Sequence, residues 1–277
     1  MKSFRDKVVV VTGAGGGMGR AYAEAFAREG AKLSLNDWDG AALEETRERA
    51  LKLGAPAVHA VAFDVSNKDE MYAFAASTKE ALGNAHVIVN NAGVEGDARP
   101  IWEISDELFE RVININLWGV IHGTRAFLPQ LFDNGEGAVV NVSSVFGLVG
   151  PPLNGDYCTT KFAVRGFTEC LMAELHDSPI SVHLVHPGGI ATDICKTERS
   201  RDFGAKFLTT PPEDLVRVVI DGIRRGKRKI VYGNDSLRAW FGSNFLPLRL
   251  LNIIMAIEMR RVVGKIEFPK SKGQTPT

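Results

Sequence analysis

The chain has 277 residues, 45% of them hydrophobic and 24% charged, a balance that fits a globular protein with a large core. Lys plus Arg and Asp plus Glu each total 33, so the formal charge is zero and no generalised nucleic-acid binder is expected. The zero conceals a split: through Ile223 there are 21 basic and 30 acidic residues, net −9, and from Arg224 onward 12 and 3, net +9.

Cys158, Cys170 and Cys195 form no CxxC pair, and the six histidines are scattered, so neither a disulfide framework nor a metal site is expected. An apolar strand begins after seven residues, too short a lead for a signal peptide, and the expected setting is reducing and cytoplasmic.

Apolar runs rich in β-branched residues recur at 8–11, 32–35, 57–62, 86–89, 138–142, 181–185 and 230–232. Segments between them, such as 20–29 and 41–53, carry helical periodicity. Buried strands alternating with helices predict an α/β fold, a doubly wound parallel sheet with helices on both faces and ligands at the carboxyl ends of its strands.

The first strand runs into TGAGGGMG, Thr12 to Gly19, and then into a helical segment. Glycines at such a junction let backbone amides approach a pyrophosphate seated on the helix N-terminus. The second strand leads to Asp37, 18 residues beyond Gly19. A carboxylate there accepts hydrogen bonds from the ribose hydroxyls of NAD and repels the 2′-phosphate of NADP. Positions 36–39 offer no Arg or Lys to pair with that phosphate, so NAD is the expected cofactor and NADP the less favoured one.

Asn90-Asn91-Ala92-Gly93 follows the strand at 86–89, and Ser143 and Ser144 follow the strand at 138–142. A helix is predicted from Tyr157 to Glu174, on which Tyr157 and Lys161 share a face. The chemistry wants that pairing: a free tyrosine has a pKa of about 10, and half-ionising it near neutrality takes roughly 4 kcal/mol. A close lysine ammonium, helped by the cofactor's own positive nicotinamide ring, is the expected source. Pro187-Gly188 and Thr192 follow the strand at 181–185.

The segment 190–212 mixes polar Thr197, Glu198, Arg199, Ser200 and Arg201 with apolar Phe203, Phe207 and Leu208, and reads either as a lid or as a surface connection. Val149, Pro151, Pro152 and Leu153 are expected to line an apolar pocket near Tyr157, with Arg99 and Arg199 the nearest cations. After Pro247, Leu248, Leu251, Met255, Met259 and Val262 fall at helical spacing, beside a polar stripe of Arg249, Asn252 and Arg260. This helix reads either as packed on its own domain or a partner subunit, or as lying on an anionic membrane through 237–263. Residues 269–277 read as a frayed end.

In combination these motifs resemble the short-chain dehydrogenase/reductase family over roughly residues 7–232. TGAGGGMG is similar to its TGxxxGxG, Asn90–Gly93 to its NNAG, and Tyr157/Lys161 to its YxxxK, with Ser144 thirteen residues before the tyrosine. Asn116 resembles the asparagine of the family's catalytic tetrad; Asn114 is the rival, but Leu-x-Gly follows Asn116. The resemblance implies a Rossmann-type domain over 1–233 and a helical, basic extension over 234–277. It implies catalysis by Asn116, Ser144, Tyr157 and Lys161. It also implies cofactor binding by Gly13, Gly17, Met18, Gly19, Asp37, Asp64, Val65, Asn91, Ala92, Gly93, Tyr157, Lys161, Pro187, Gly188, Ile190 and Thr192.

The implied reaction is hydride transfer between NAD(H) and a secondary alcohol or ketone, with a hydrophobic, steroid-, retinoid- or lipid-like substrate by analogy with extended-tail members. The alternatives are an NADPH-dependent 3-ketoacyl or carbonyl reductase, which Asp37 opposes, and a non-catalytic NAD(H)-binding regulator, which the intact catalytic set opposes. A homo-oligomer, dimer or tetramer, is expected, although the basic extension replaces the Gly-rich end on which the usual tetramer is built.

Overall fold

The computed structural model describes residues 1–195, 198–264 and 266. The strands are β1 (Val8–Thr12), β2 (Lys32–Asp37), β3 (Val58–Ala62), β4 (Ala85–Asn90), β5 (Gly137–Val142), β6 (Ile180–Pro187) and β7 (Lys229–Tyr232). They form one sheet in the order β3-β2-β1-β4-β5-β6-β7, with every neighbouring pair parallel. The chain winds outward from β1 in one direction and then from β4 in the other, so the sheet has its topological switch point between β1 and β4, where such folds bind ligands.

The helices are α1 (Gly17–Arg28), α2 (Gly40–Lys52), α3 (Lys68–Leu82), α4 (Asp106–Ile113), α5 (Gly119–Asn134), α6 (Gly155–Glu174), α7 (Glu198–Phe207), α8 (Pro212–Arg224), α9 (Ser236–Phe245) and α10 (Leu248–Val263). Strand alternation divides the core in two. Val9 and Val11 face α1, α2 and α8, whereas Val8 and Val10 face α3, α5 and α6. Both faces being covered, β1 reads as an unbroken apolar run, and each buried valine or larger side chain contributes roughly 1.5–3 kcal/mol.

The tail differs from its sequence reading. The helix expected after Pro247 forms as α10, with Pro247 at its N-cap, and a second helix, α9, precedes it in the extension and joins it at Leu246-Pro247. Gly242 of α9 is buried against Leu251 of α10, where a side chain would be tight. The segment read as lid or connection contains α7, while Thr197 and the side chains of Glu198, Arg199 and Phe203 lie outside the described residues. So do 269–277. Among the described residues no helix is long and apolar enough to cross a membrane, and no group of His, Cys, Asp or Glu could hold a metal ion.

Candidate active site

The sheet brings its predicted site residues to one edge, because each follows the carboxyl end of a parallel strand. The glycine turn after β1 is locked to the loop after β4. Thr12 Oγ1 accepts the backbone N–H groups of Asn91 and Ala92, both at 3.1 Å, and Asn91 Nδ2 donates to the Thr12 and Gly13 carbonyls at 3.0 and 3.3 Å. Gly13 has φ of 67°, and a Cβ there would come within 2.7 Å of Ala92 Cα. A Cβ on Gly19 would run into the Gly13 carbonyl oxygen.

No side chain caps the N-terminus of α1 and no acid stands in its first turn, so its free N–H groups face the open side of the turn. A Cβ on Gly16 would meet nothing within 4 Å and would stand in that open side. A backbone cradle that side chains would fill, at the positive end of a helix, fits a dinucleotide pyrophosphate. Arg20 braces it by donating to the Gly15 carbonyl at 2.7 Å while held by Glu45.

Asp37 closes the end of β2, buried, with its carboxylate accepting the backbone N–H groups of Gly15 at 2.7 Å and Asp39 at 3.0 Å. Asp64 is exposed and binds the Ser66 N–H in its own turn, while Val65 is buried against Gly119. Met18 packs partly into the core, and Ile190 lies wholly within it. Thr192 lies against Gly17, across an open cleft of about 620 Å³ that Cys195 and Leu208 also line. Pro187 ends β6, and the Gly188 N–H donates to Tyr232 at 2.8 Å.

The groups for proton chemistry converge beyond β5. Tyr157 is in the first turn of α6, near enough to the Ser144 hydroxyl for that group to favour its ionised form. Ser144 Oγ accepts the Phe146 N–H at 3.1 Å, whereas Ser143 turns away to donate to the Lys161 carbonyl at 2.8 Å. The Lys161 ammonium is buried, 5.5 Å from the Tyr157 ring centroid, and donates to the Val142 carbonyl at 3.1 Å. Burial pulls Lys161 down to about 8. The sequence reading has lysine and the nicotinamide charge together drawing Tyr157 toward neutrality, and lysine alone does not do so here. Burial pushes the tyrosine up to about 12, with the Ser144 hydroxyl pulling the other way. The physical reason is that phenol and ammonium share a desolvated pocket in which the ammonium bonds a carbonyl rather than the phenol.

Asn114 and Asn116 both lie in a single π-helical turn, Asn114–Trp118, between α4 and α5. Asn116 is buried and pairs with the backbone of Val94: its Oδ1 accepts the Val94 N–H at 2.8 Å and its Nδ2 donates to the Val94 carbonyl at 2.9 Å. Asn114 is exposed. Of the expected apolar wall, Val149 and Pro151 are buried, and Arg99 stands 2.6 Å from Asp97.

Two supporting residues escaped the sequence reading. His186 Nδ1 donates to the Ser144 carbonyl at 2.7 Å, and burial holds its pKa down at about 4, so the ring is neutral. Asp156, fully buried, accepts the N–H groups of Asp97 at 2.9 Å and Tyr157 at 2.8 Å, strapping the loop after β4 to the start of α6. Asp156 adjoins the tyrosine in sequence, a signal of sorts; nothing local marks His186.

The family model for short chain dehydrogenases matches residues 7–202. An oxidoreductase of Mycobacterium tuberculosis named SadH is 36% identical over 248 residues, 85% of this chain and 89% of that protein. The human 17-beta-hydroxysteroid dehydrogenase 13 is 33% identical over 272 residues, 95% of this chain and 88% of that one. Among solved structures, a short chain dehydrogenase/reductase from Burkholderia phymatum in complex with NAD superposes with a TM-score of 0.79 at 30% identity, covering 98% of this chain and all of that one. With the motifs, sheet order and site geometry in agreement, this chain belongs to the short-chain dehydrogenase/reductase family of oxidoreductases.

Proposed function

We propose that the chain oxidises a hydrophobic secondary alcohol, or reduces the corresponding ketone, with NAD(H) as its hydride partner. The observation that carries this reading is the grouping of Ser144, Tyr157 and Lys161 beside the glycine cradle on one sheet edge. Asp37, buried at the end of β2, supports NAD over NADP, since its carboxylate would repel a 2′-phosphate. A solved relative that holds NAD agrees with that choice. The substrate class rests on the steroid dehydrogenase relative and on the apolar cluster of Phe146, Leu148, Val149 and Trp240 beyond Ser144.

When bound, the nicotinamide supplies the carbon that accepts or returns the hydride and, in its oxidised form, a positive charge beside Tyr157. In the oxidising direction Ser144 holds the substrate oxygen and Tyr157 takes the proton leaving it; in reduction Tyr157 returns that proton. Lys161 supplies a fixed cation behind the tyrosine. Asn116, tied to Val94, supports the path by which the proton reaches solvent. Gly13, Gly17, Gly19 and the Asn91–Gly93 loop would hold the dinucleotide, with Pro187, Gly188 and Thr192 toward its nicotinamide end. A homo-oligomer remains the expected assembly, with exposed Phe132 on α5 and Phe162 on α6 as candidate contacts.

Tyr157→Phe tests the reading. Turnover of a panel of steroid, retinoid and long-chain secondary alcohols should fall by about 100-fold or more, while NADH binding, followed by fluorescence titration, is unchanged. Undiminished turnover would remove Tyr157 from the reaction.

A further inference from the structure

The hairpin of α9 and α10 has an apolar inner face and an apolar outer face. Inward, Trp240, Leu246, Leu251 and Met255 pack with Leu148 and Val149, just beyond Ser144. Outward, Leu237, Phe241 and Phe245 recur every fourth residue along α9 and are 69%, 55% and 62% exposed. Across the turn Leu248, Ile253 and Ile257 are 72%, 48% and 48% exposed. At roughly 180 Å² per large apolar side chain, these six leave roughly 600 Å² open to water, the upper end for the largest apolar patch of a soluble monomer.

Charge on this surface is one-sided. Arg249 and Arg260 are exposed, and at about 100° per residue they fall on the side of α10 that carries Ile253 and Ile257. The acids of the hairpin, Asp235 and Glu258, are both held by Arg238. Among the described residues, two cations therefore stand in an apolar field with no acid opposite them. A second copy of this face would bring two more cations against them by two-fold symmetry. An anionic lipid surface supplies the complementary charge and accepts the apolar side chains.

We propose that the outer face of α9–α10 docks on an anionic lipid surface. Phe241, Phe245, Ile253 and Ile257 enter the boundary between headgroups and acyl chains, and Arg249 and Arg260 meet the lipid phosphates. Neither helix spans the bilayer, so the hairpin lies in its plane. The inner face of the same hairpin walls the segment after Ser144, and α10 also packs on α7, so the docked surface backs directly onto the candidate active site. The docking stands whichever alcohol is the substrate.

Co-flotation of the full chain with phosphatidylcholine vesicles, pure or mixed with phosphatidylglycerol, tests this. The bound fraction should be at least tenfold higher on the anionic vesicles and should fall as salt is raised. Phe241→Asp combined with Ile257→Asp should cut binding at least tenfold at an unchanged melting temperature. Arg249→Glu combined with Arg260→Glu should abolish the preference for anionic lipid. If the apolar pair fails to fold, the arginine pair decides alone, since an unchanged anionic preference would overturn the proposal. Absence of flotation would also overturn it, as would a concentration-dependent dimer that the Asp substitutions dissociate without any vesicle binding.

Discussion

Substituting Gly96 and Asp156, singly and together, tests how the loop after β4 is held beside Tyr157. The Asp156 carboxylate accepts two backbone N–H groups, one from Asp97 and one from Tyr157, at 2.9 and 2.8 Å. Gly96 lies so close that a Cβ would run into Asp156 Oδ1. Asp156→Ala leaves both N–H groups without their acceptor, at about 1–3 kcal/mol each, for a loss of about 2–6 kcal/mol. Gly96→Ala forces a methyl group onto a buried carboxylate and should cost about 1–3 kcal/mol, because either the loop or the carboxylate must shift. In the double variant the methyl occupies the space the carboxylate vacated. Its cost should therefore be no greater than that of Asp156→Ala alone, a coupling of about 1–3 kcal/mol. Urea denaturation of the four proteins measures the cycle, and KM should rise in both single variants as the loop loosens. Additivity within about 0.5 kcal/mol would refute the strap.

Two further expectations concern charge. Asp37→Ala should raise the affinity for NADPH relative to NADH by up to about 1,000-fold, since like charges about 4 Å apart repel by about 4 kcal/mol at an effective dielectric constant near 20. Equal affinities in the unmodified protein, read by fluorescence titration, would count against that role. Burial holds Lys161 at about 8, so in the folded chain its proton leaves before it would in the unfolded chain. The cost of burying the ammonium is therefore full below pH 8 and fades as pH climbs toward the unfolded value of about 10.4. Lys161→Met should remove that rise in stability, as seen by denaturation at stepped pH; parallel curves for the two proteins would contradict it.

Much of the fold was legible because a parallel sheet covered on both faces writes its strands as apolar runs, and β1, β2 and β4–β6 each lengthened those runs only by their ends. Gly13 and Gly19 were legible for a related reason: a backbone approach that excludes Cβ leaves only one residue type. Asn116 could be weighed against Asn114 but not separated by spacing alone, since the wide turn between α4 and α5 sets which amide points inward. His186 was invisible because its partner, Ser144, lies 42 residues away and any buried strand tolerates a lone histidine. The strap from Asp156 to Asp97 spans 59 residues and is equally nonlocal. Helix α9 was missed because Gly242, Ser243 and Asn244 are poor helix formers, and packing against α10 outweighs their propensity. The depressed lysine and elevated tyrosine were missed because a sequence states which charges are near one another but not how little water surrounds them.

The π-helical turn at Asn114–Trp118 carries a consequence for how this site tolerates change. Such a turn holds one residue more than the helices on either side of it. Losing a single residue there would let α4 run into α5 as one regular helix, with both ends still seated in the core. The amide of Asn116 would swing by about 100° and release Val94, though every side chain named in the site was still present. At this position the direction of the Asn116 amide is set by chain length as much as by residue identity.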